Sequence, residues 1–252
     1  MSFDVAGEAY DRFMGRYSRP LAARFADWLG VSSGQRVLDV GCGPGALTEH
    51  LVALVGAAQV AAIDPSEPFV EACRSRHPGV DVRLGAAESL PFDDDTFDVT
   101  AACLVVHFMA DPVAGLAEMK RVTRTGGWVG ATVWDLAASR APMWPLWEAV
   151  DEVAPEHPGE RGFQGGSRES LVAILEGAAL RDIESVELPV TVTHPSFDEW
   201  WEPYLHGVGP AGEAIAAMDP DRRASLVEIL RRNLGEGPFD ITAVAYAVRG
   251  RA

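Results

Sequence analysis

Apolar and polar positions run along the chain in two rhythms. From Ala6 to Leu29 the apolar residues recur at helical spacing, and the pattern predicts two helices broken near Ser18-Arg19-Pro20. After that, short apolar runs alternate with amphipathic stretches. Strands are predicted over Arg36–Val40, Gln59–Ile63, Val80–Leu84, Phe97–Cys103 and Trp128–Trp134. Helices are predicted over Ala46–Val55, from a Ser66 cap to about Arg76, and over Pro112–Val122. Short apolar strands alternating with amphipathic helices imply a parallel, doubly wound α/β sheet.

Past Trp134 the rhythm loosens. Residues Ala137 to Gly166 are rich in Pro, Gly and Trp and read partly as loop. A helix resumes over Glu169–Leu175, and strands are expected at Ile183–Val192 and Ile241–Val248. Between those strands, Thr193 to Asp240 is mostly helical and far too long for a hairpin turn. It reads as a helical substrate cap (residues 193–240) inserted between the last two strands of a single domain, residues 1–252. Residues 1–30 would form an N-terminal helical lid and residues 31–135 the ligand-binding core.

The 252 residues carry 37 acidic and 21 basic side chains, a formal net charge of −16. That balance argues against a partner held by its phosphate backbone, because such affinity comes from Lys and Arg. It argues equally against an anionic membrane surface. No apolar run is long enough to span a bilayer. The three cysteines, Cys42, Cys73 and Cys103, form no CxxC pair, and no signal peptide is read at Met1-Ser2-Phe3-Asp4. A reducing, cytoplasmic location is therefore expected.

The densest chemical signal is Val37-Leu38-Asp39-Val40-Gly41-Cys42-Gly43-Pro44-Gly45. Glycines after a strand let the backbone turn sharply beside a ligand, and the following helix offers free N–H groups. The spacing is G-x-G-x-G, with Asp39 inside the strand. This stretch resembles motif I of the class I S-adenosylmethionine-dependent methyltransferases. Ala62-Ile63-Asp64-Pro65-Ser66 resembles the second-strand acidic motif of that family, and Gly85 to Phe92 its adenine-contacting loop. Phe97-Asp98-Val99 and Arg121 to Gly127 match the openings of its fourth and fifth strands. The resemblance runs in order over roughly residues 30 to 135 and is greatest to the small-molecule subgroup that includes ubiquinone and menaquinone biosynthesis enzymes.

The resemblance implies a Rossmann-like seven-stranded sheet, mostly parallel with one antiparallel strand, and S-adenosyl-L-methionine as cofactor. The residues it points to are Asp39, Gly41, Cys42, Gly43, Gly45, Asp64, Pro65, Ser66, Ala86, Ala87, Glu88, Cys103 and Leu104. Tyr17 and Arg19 join them, from an N-terminal segment (with Tyr10 and Arg16) that folds over the cofactor in similar enzymes. Asp64 would accept both ribose hydroxyls, because a carboxylate matches a vicinal diol. Ala86 departs from the family, which commonly has Asp or Asn there.

The implied reaction is in-line methyl transfer to a small, apolar or aromatic acceptor. His107, just after the fourth strand, is the candidate general base; His194 and His206 flank the cap. The run Asp93-Asp94-Asp95 reads as a solvated turn, and no metal is expected. Trp134, Trp144, Trp147, Phe163, Phe197, Trp200, Trp201 and Tyr204 fall on the acceptor side, with Trp200 and Trp201 on different helix faces so that at most one faces a pocket. The charge and the absence of an Asn-Pro-Pro-Tyr-like tetrapeptide set nucleic-acid substrates aside. Two alternatives stay open. One is a non-catalytic protein binding S-adenosylmethionine or S-adenosylhomocysteine on the same fold, motivated by Ala86. The other is a nicotinamide-dependent oxidoreductase. Monomer and homodimer are not distinguished, nor is the acceptor atom.

Overall fold

A computed structural model describes residues 14–207 and 209–252. Tyr10 and the rest of the segment before Met14 lie outside the described residues. Seven strands form one sheet in the order β3-β2-β1-β4-β5-β7-β6. They are β1 (Val37–Val40), β2 (Val60–Asp64), β3 (Asp81–Leu84), β4 (Phe97–Cys103), β5 (Thr123–Trp134), β6 (Arg181–His194) and β7 (Phe239–Arg251). The first five pair in parallel, and β7 runs antiparallel to both β5 and β6. Strand order reverses around β1, which pairs with β2 on one side and β4 on the other. All four β1 residues are buried, as an interior strand of a covered sheet requires.

Helices cover both faces. On one lie α1 (Arg16–Leu29) and α2 (Ala46–Val55), with Leu21, Phe25, Leu29, Leu47 and Leu51 packed into a common core. On the other, α4 (Pro112–Val122) and α6 (Arg168–Gly177) contribute Leu116, Met119, Leu171 and Leu175. Helix α3 (Glu67–Arg76) closes a smaller cluster over β2 and β3, through Val70 and Cys73.

Helix α1 runs through Ser18-Arg19-Pro20 without the expected break. Proline costs a helix interior about 3 kcal/mol. Leu21, Phe25 and Leu29 are fully buried, and burying each such side chain contributes about 1.5–3 kcal/mol. The packing of the apolar stripe outweighs the proline.

The Pro- and Trp-rich stretch after β5 holds a helix, α5 (Trp144–Val153), where the sequence read partly as loop. Between β6 and β7 lie α7 (Phe197–Trp201), a short 3-10 turn (Glu202–His206), α8 (Gly209–Ala217) and α9 (Pro220–Leu234). Leu226 and Leu230 of α9 share a core with Leu146 and Val150 of α5. Both Trp200 and Trp201 are buried, and Trp200 lines a small cavity with Tyr17 and His194, in keeping with the two-face expectation. Helix α7 is only five residues long and is packed on both sides. Trp200 meets Phe239 edge-on at 6.3 Å, and Trp201 stacks between Phe197 (6.2 Å) and Tyr204 (5.9 Å).

Candidate functional site

The ends of β1, β2 and β4 open into a cleft of about 740 Å³, counted out to its mouth. Its place outside the carboxyl ends of the strands, where strand order reverses, is where open α/β sheets bind ligands. The loop from β1 to α2 forms one wall. Its first amides, Gly41 and Cys42, both donate to the Ile63 carbonyl at 2.7 and 3.0 Å, which ties the turn to the end of β2. Gly41 has φ +72°, and a Cβ there would sit 2.5 Å from the Val105 side chain. Gly43, at φ +52°, would meet nothing within 4 Å, so its bare backbone faces open space. A loop of this kind is a cradle for a ligand that approaches the main chain.

Asp64 braces the cradle. Its Oδ2 accepts the Gly43 amide at 2.8 Å and its Oδ1 the Ser66 amide at 2.9 Å. One carboxylate thus joins the two loops that frame the cleft. Burial raises its pKa, and the two amides oppose that rise. Each oxygen keeps a further lone pair for a ligand hydroxyl.

Asp39 lies deeper and is fully buried. Its Oδ2 accepts from Thr48 Oγ at 2.6 Å, while Oδ1 has no hydrogen-bond partner among the described residues. Desolvation pushes its pKa up to about 7, and the nearby Asp64 charge adds to the rise. An unpaired buried carboxylate oxygen beside a cleft fits a ligand that brings a donor or positive charge. Ser18 Oγ, on the same cleft, is also buried without a partner among the described residues.

The opposite wall comes from the end of β4. Leu104 adopts φ +63°, a left-handed conformation that costs a branched side chain about 1–3 kcal/mol. It holds Cys103, Leu104 and Val105 against the cleft. Burial pushes the Cys103 thiol pKa up, so it stands there as a neutral group.

Of the residues expected from sequence, Asp39, Gly41, Cys42, Gly43, Asp64, Pro65, Ser66, Cys103 and Leu104 line this cleft. Others stand elsewhere. Gly45 ends the loop against His77 and Cys73. Ala86 is exposed, Ala87 is buried in the α4 core, and Glu88 Oε1 accepts the Ala110 and Asp111 amides. Glu88 therefore fastens its loop to the start of α4. Arg19 pairs with Glu49 at 2.5 Å. Tyr17 is turned away and its hydroxyl meets His194 Nε2 at 2.7 Å; burial raises its pKa. Arg16 and Glu199 complete that cluster in a bidentate pair. His206 pairs with Glu202 on the surface.

His107 sits on a 3-10 turn after β4, behind Phe108, which lines the cleft. Its ring lies 4.0 Å from Phe108 and stacks on Phe163 at 6.0 Å. Nδ1 is buried and unpartnered among the described residues, and desolvation lowers the pKa to about 4. Sequence reasoning missed Ser18, Phe69, Val105 and Phe108 as lining residues. Ser18 is one position, about 100° of helix, from the expected Tyr17. Phe108 directly follows His107, so that signal was at hand.

The sequence and the fold are similar to those of known proteins. Residues 38–130 match the family model described as a methyltransferase domain. Over that stretch the chain is similar to methyltransferase domains. S-adenosylmethionine is the cofactor that this fold family binds. An uncharacterised methyltransferase of Mycobacterium bovis is 37% identical over 140 residues, 56% of this chain and 54% of that protein. The chain thus spans about half the length of that relative. A nocamycin O-methyltransferase of Saccharothrix syringae is 28% identical across 100% of this chain and 97% of its own length. Among solved structures, a phosphoethanolamine N-methyltransferase 2 of Haemonchus contortus is similar with a TM-score of 0.61 at 17% identity. It was solved with phosphomonomethylethanolamine and S-adenosylhomocysteine, and the likeness covers 99% of this chain and 57% of that one. The domain shares the methyltransferase fold with such neighbours.

Proposed function

We propose that the protein transfers a methyl group from S-adenosylmethionine to a small acceptor, apolar or aromatic in part, bound beyond the ends of β4 and β5. The observation that carries this reading is the convergence of the Gly41–Gly43 backbone, the Asp64 carboxylate and the unpaired Asp39 Oδ1 on one cleft. Asp64 would receive the ribose hydroxyls while keeping its two amides. Asp39 and Ser18 supply unpaired polar atoms at the end where the methionine portion belongs. When bound, the cofactor supplies an electrophilic methyl carbon on a sulfonium, so the protein's task is chiefly to position the acceptor and exclude water.

His107 is the proton acceptor in this reading. Its lowered pKa keeps it neutral near pH 7, and burial makes it a weak base. A weak base suits an acceptor whose proton is already loosely held, such as an acidic hydroxyl or carbon. Phe108 and Phe163, both packed on the imidazole and edge-to-face with each other at 6.4 Å, would offer apolar surface to an aromatic ring. The helical insertion between β6 and β7, packed on α5, serves as the cap on the acceptor side.

Calorimetric titration with S-adenosylhomocysteine tests the cofactor half. We expect saturable binding that Asp64→Ala weakens at least tenfold, about 1.4 kcal/mol, with circular dichroism confirming that the variant is folded. No binding by the native protein would overturn the reading.

A further inference from the structure

Two thiols meet at the glycine-rich loop, one in it and one behind it. Cys42 lines the cleft, and Cys73 lies on α3 with no exposed surface. They belong to one small cluster with Ala62, Val70 and Val82. Cys73 Sγ donates to Thr48 Oγ at 3.8 Å, and Thr48 donates in turn to Asp39. A Cβ on Gly45 would stand 3.4 Å from Cys73 Sγ and 2.5 Å from His77 Nε2. The loop, the thiols and the Asp39–Thr48 pair are therefore one packed unit. Contact between the thiols raises the pKa of Cys42 and lowers that of Cys73. Thiolate character governs the oxidation of either thiol.

We propose that Cys42 and Cys73 form a peroxide-sensitive dithiol whose closure to a disulfide disables the cofactor cleft. Hydrogen peroxide is small enough to enter by the cleft past Cys42. One thiolate attacks a peroxide oxygen, breaks the O–O bond and becomes a sulfenic acid, releasing hydroxide. The second thiol then attacks that sulfur and releases water. In sum, two thiols and one peroxide give one disulfide and two waters; each sulfur loses one electron and the peroxide gains two. The new bond draws the Gly41–Gly45 loop onto α3 and removes the donor that Cys73 gives Thr48. Both changes fall on groups that frame the cleft. Bound cofactor would cover Cys42 and so protect the pair.

The effect on affinity rests on the cofactor reading; the cross-link does not. The test treats the full chain with hydrogen peroxide, maps disulfides by peptide mass spectrometry, and titrates S-adenosylhomocysteine before and after. We expect a Cys42–Cys73 peptide lacking two hydrogens, slowed by prior addition of S-adenosylhomocysteine. We expect at least a tenfold loss of affinity, restored by dithiothreitol. Cys73→Ser should lose the response, and Cys73→Val repeats the test if the serine variant fails to fold. No Cys42–Cys73 link, or a link without loss of affinity, overturns the proposal. Reduced protein that binds no S-adenosylhomocysteine overturns the cofactor reading and the switch with it, whatever the mapping shows.

Discussion

At the scale of single residues, the site is a balance between burial and partnership. Asp39 keeps one oxygen bonded to Thr48 and one unpaired, with its pKa near 7. Its folded value lies above the unfolded one, so its contribution to stability is full below about pH 4 and is lost as pH rises through 7. Asp39→Asn keeps an acceptor for Thr48 and removes the charge. We expect the variant to be more stable than the native protein at pH 8, by about 1–4 kcal/mol in urea unfolding without ligand. A loss of stability at pH 8 would show that the carboxylate's bond to Thr48 outweighs its burial. The residues legible in the sequence were those whose position follows from main-chain geometry: the glycine loop, Asp39, Asp64, and Cys103–Leu104 at the end of β4. Ser18, Phe69 and Phe108 were not, because a side chain on a helix or turn needs a rotation angle that spacing alone does not supply. Tyr17 shows the cost of one position: it faces His194 while Ser18 faces the cleft.

At the scale of elements, the strands were legible because each is an apolar run between turn residues. Strands β6 and β7 extend beyond the predicted Ile183–Val192 and Ile241–Val248. Their antiparallel ladder continues to pairs such as Arg181 with Arg251, whose main chains bond although their side chains give no apolar signal. Helix α5 was read partly as loop although Pro145 follows its first residue, a position where proline favours a helix start. Proline misled in the other direction at α1. Pro20 is exposed at the fifth residue of that helix and cannot donate to the Arg16 carbonyl. Pro20→Ala restores the donor with no change in the buried stripe. We expect it to stabilise the protein by about 1–3 kcal/mol, a rise of several degrees in thermal midpoint by calorimetry. An unchanged or lower midpoint would mean that proline's restriction of the unfolded chain outweighs the missing bond.

At the scale of the whole molecule, carboxyls and imidazoles shifted by burial pull stability in opposite directions over one pH range. His107 (pKa about 4) and His194 have their pKa values lowered, chiefly by desolvation, with the Arg16 charge adding to the effect on His194. A lowered imidazole gives its full contribution above the unfolded value of about 6.5 and loses it as pH falls. Asp39 and Glu160 are both raised to about 7, chiefly by desolvation, although Trp147 Nε1–H donates to Glu160 at 2.9 Å. A raised carboxyl gives its full contribution at low pH and loses it as pH rises to 7. Between about pH 4 and 7 the two slopes oppose each other, and the native protein should show a shallow stability profile. The groups sit in separate parts of the fold: Asp39 under the glycine loop, Glu160 beside α5, His107 after β4 and His194 at the end of β6. Removing one pair should therefore expose the slope of the other without collapsing the core. The double variant Asp39→Asn, Glu160→Gln leaves the histidines opposed chiefly by Asp64. Its unfolding free energy should climb steadily from pH 4 to pH 7, while the native profile stays comparatively flat. If the two profiles run parallel, the carboxyls titrate near their ordinary values in the folded protein, and the unpaired oxygen of Asp39 already has a solvent partner when the cleft is empty.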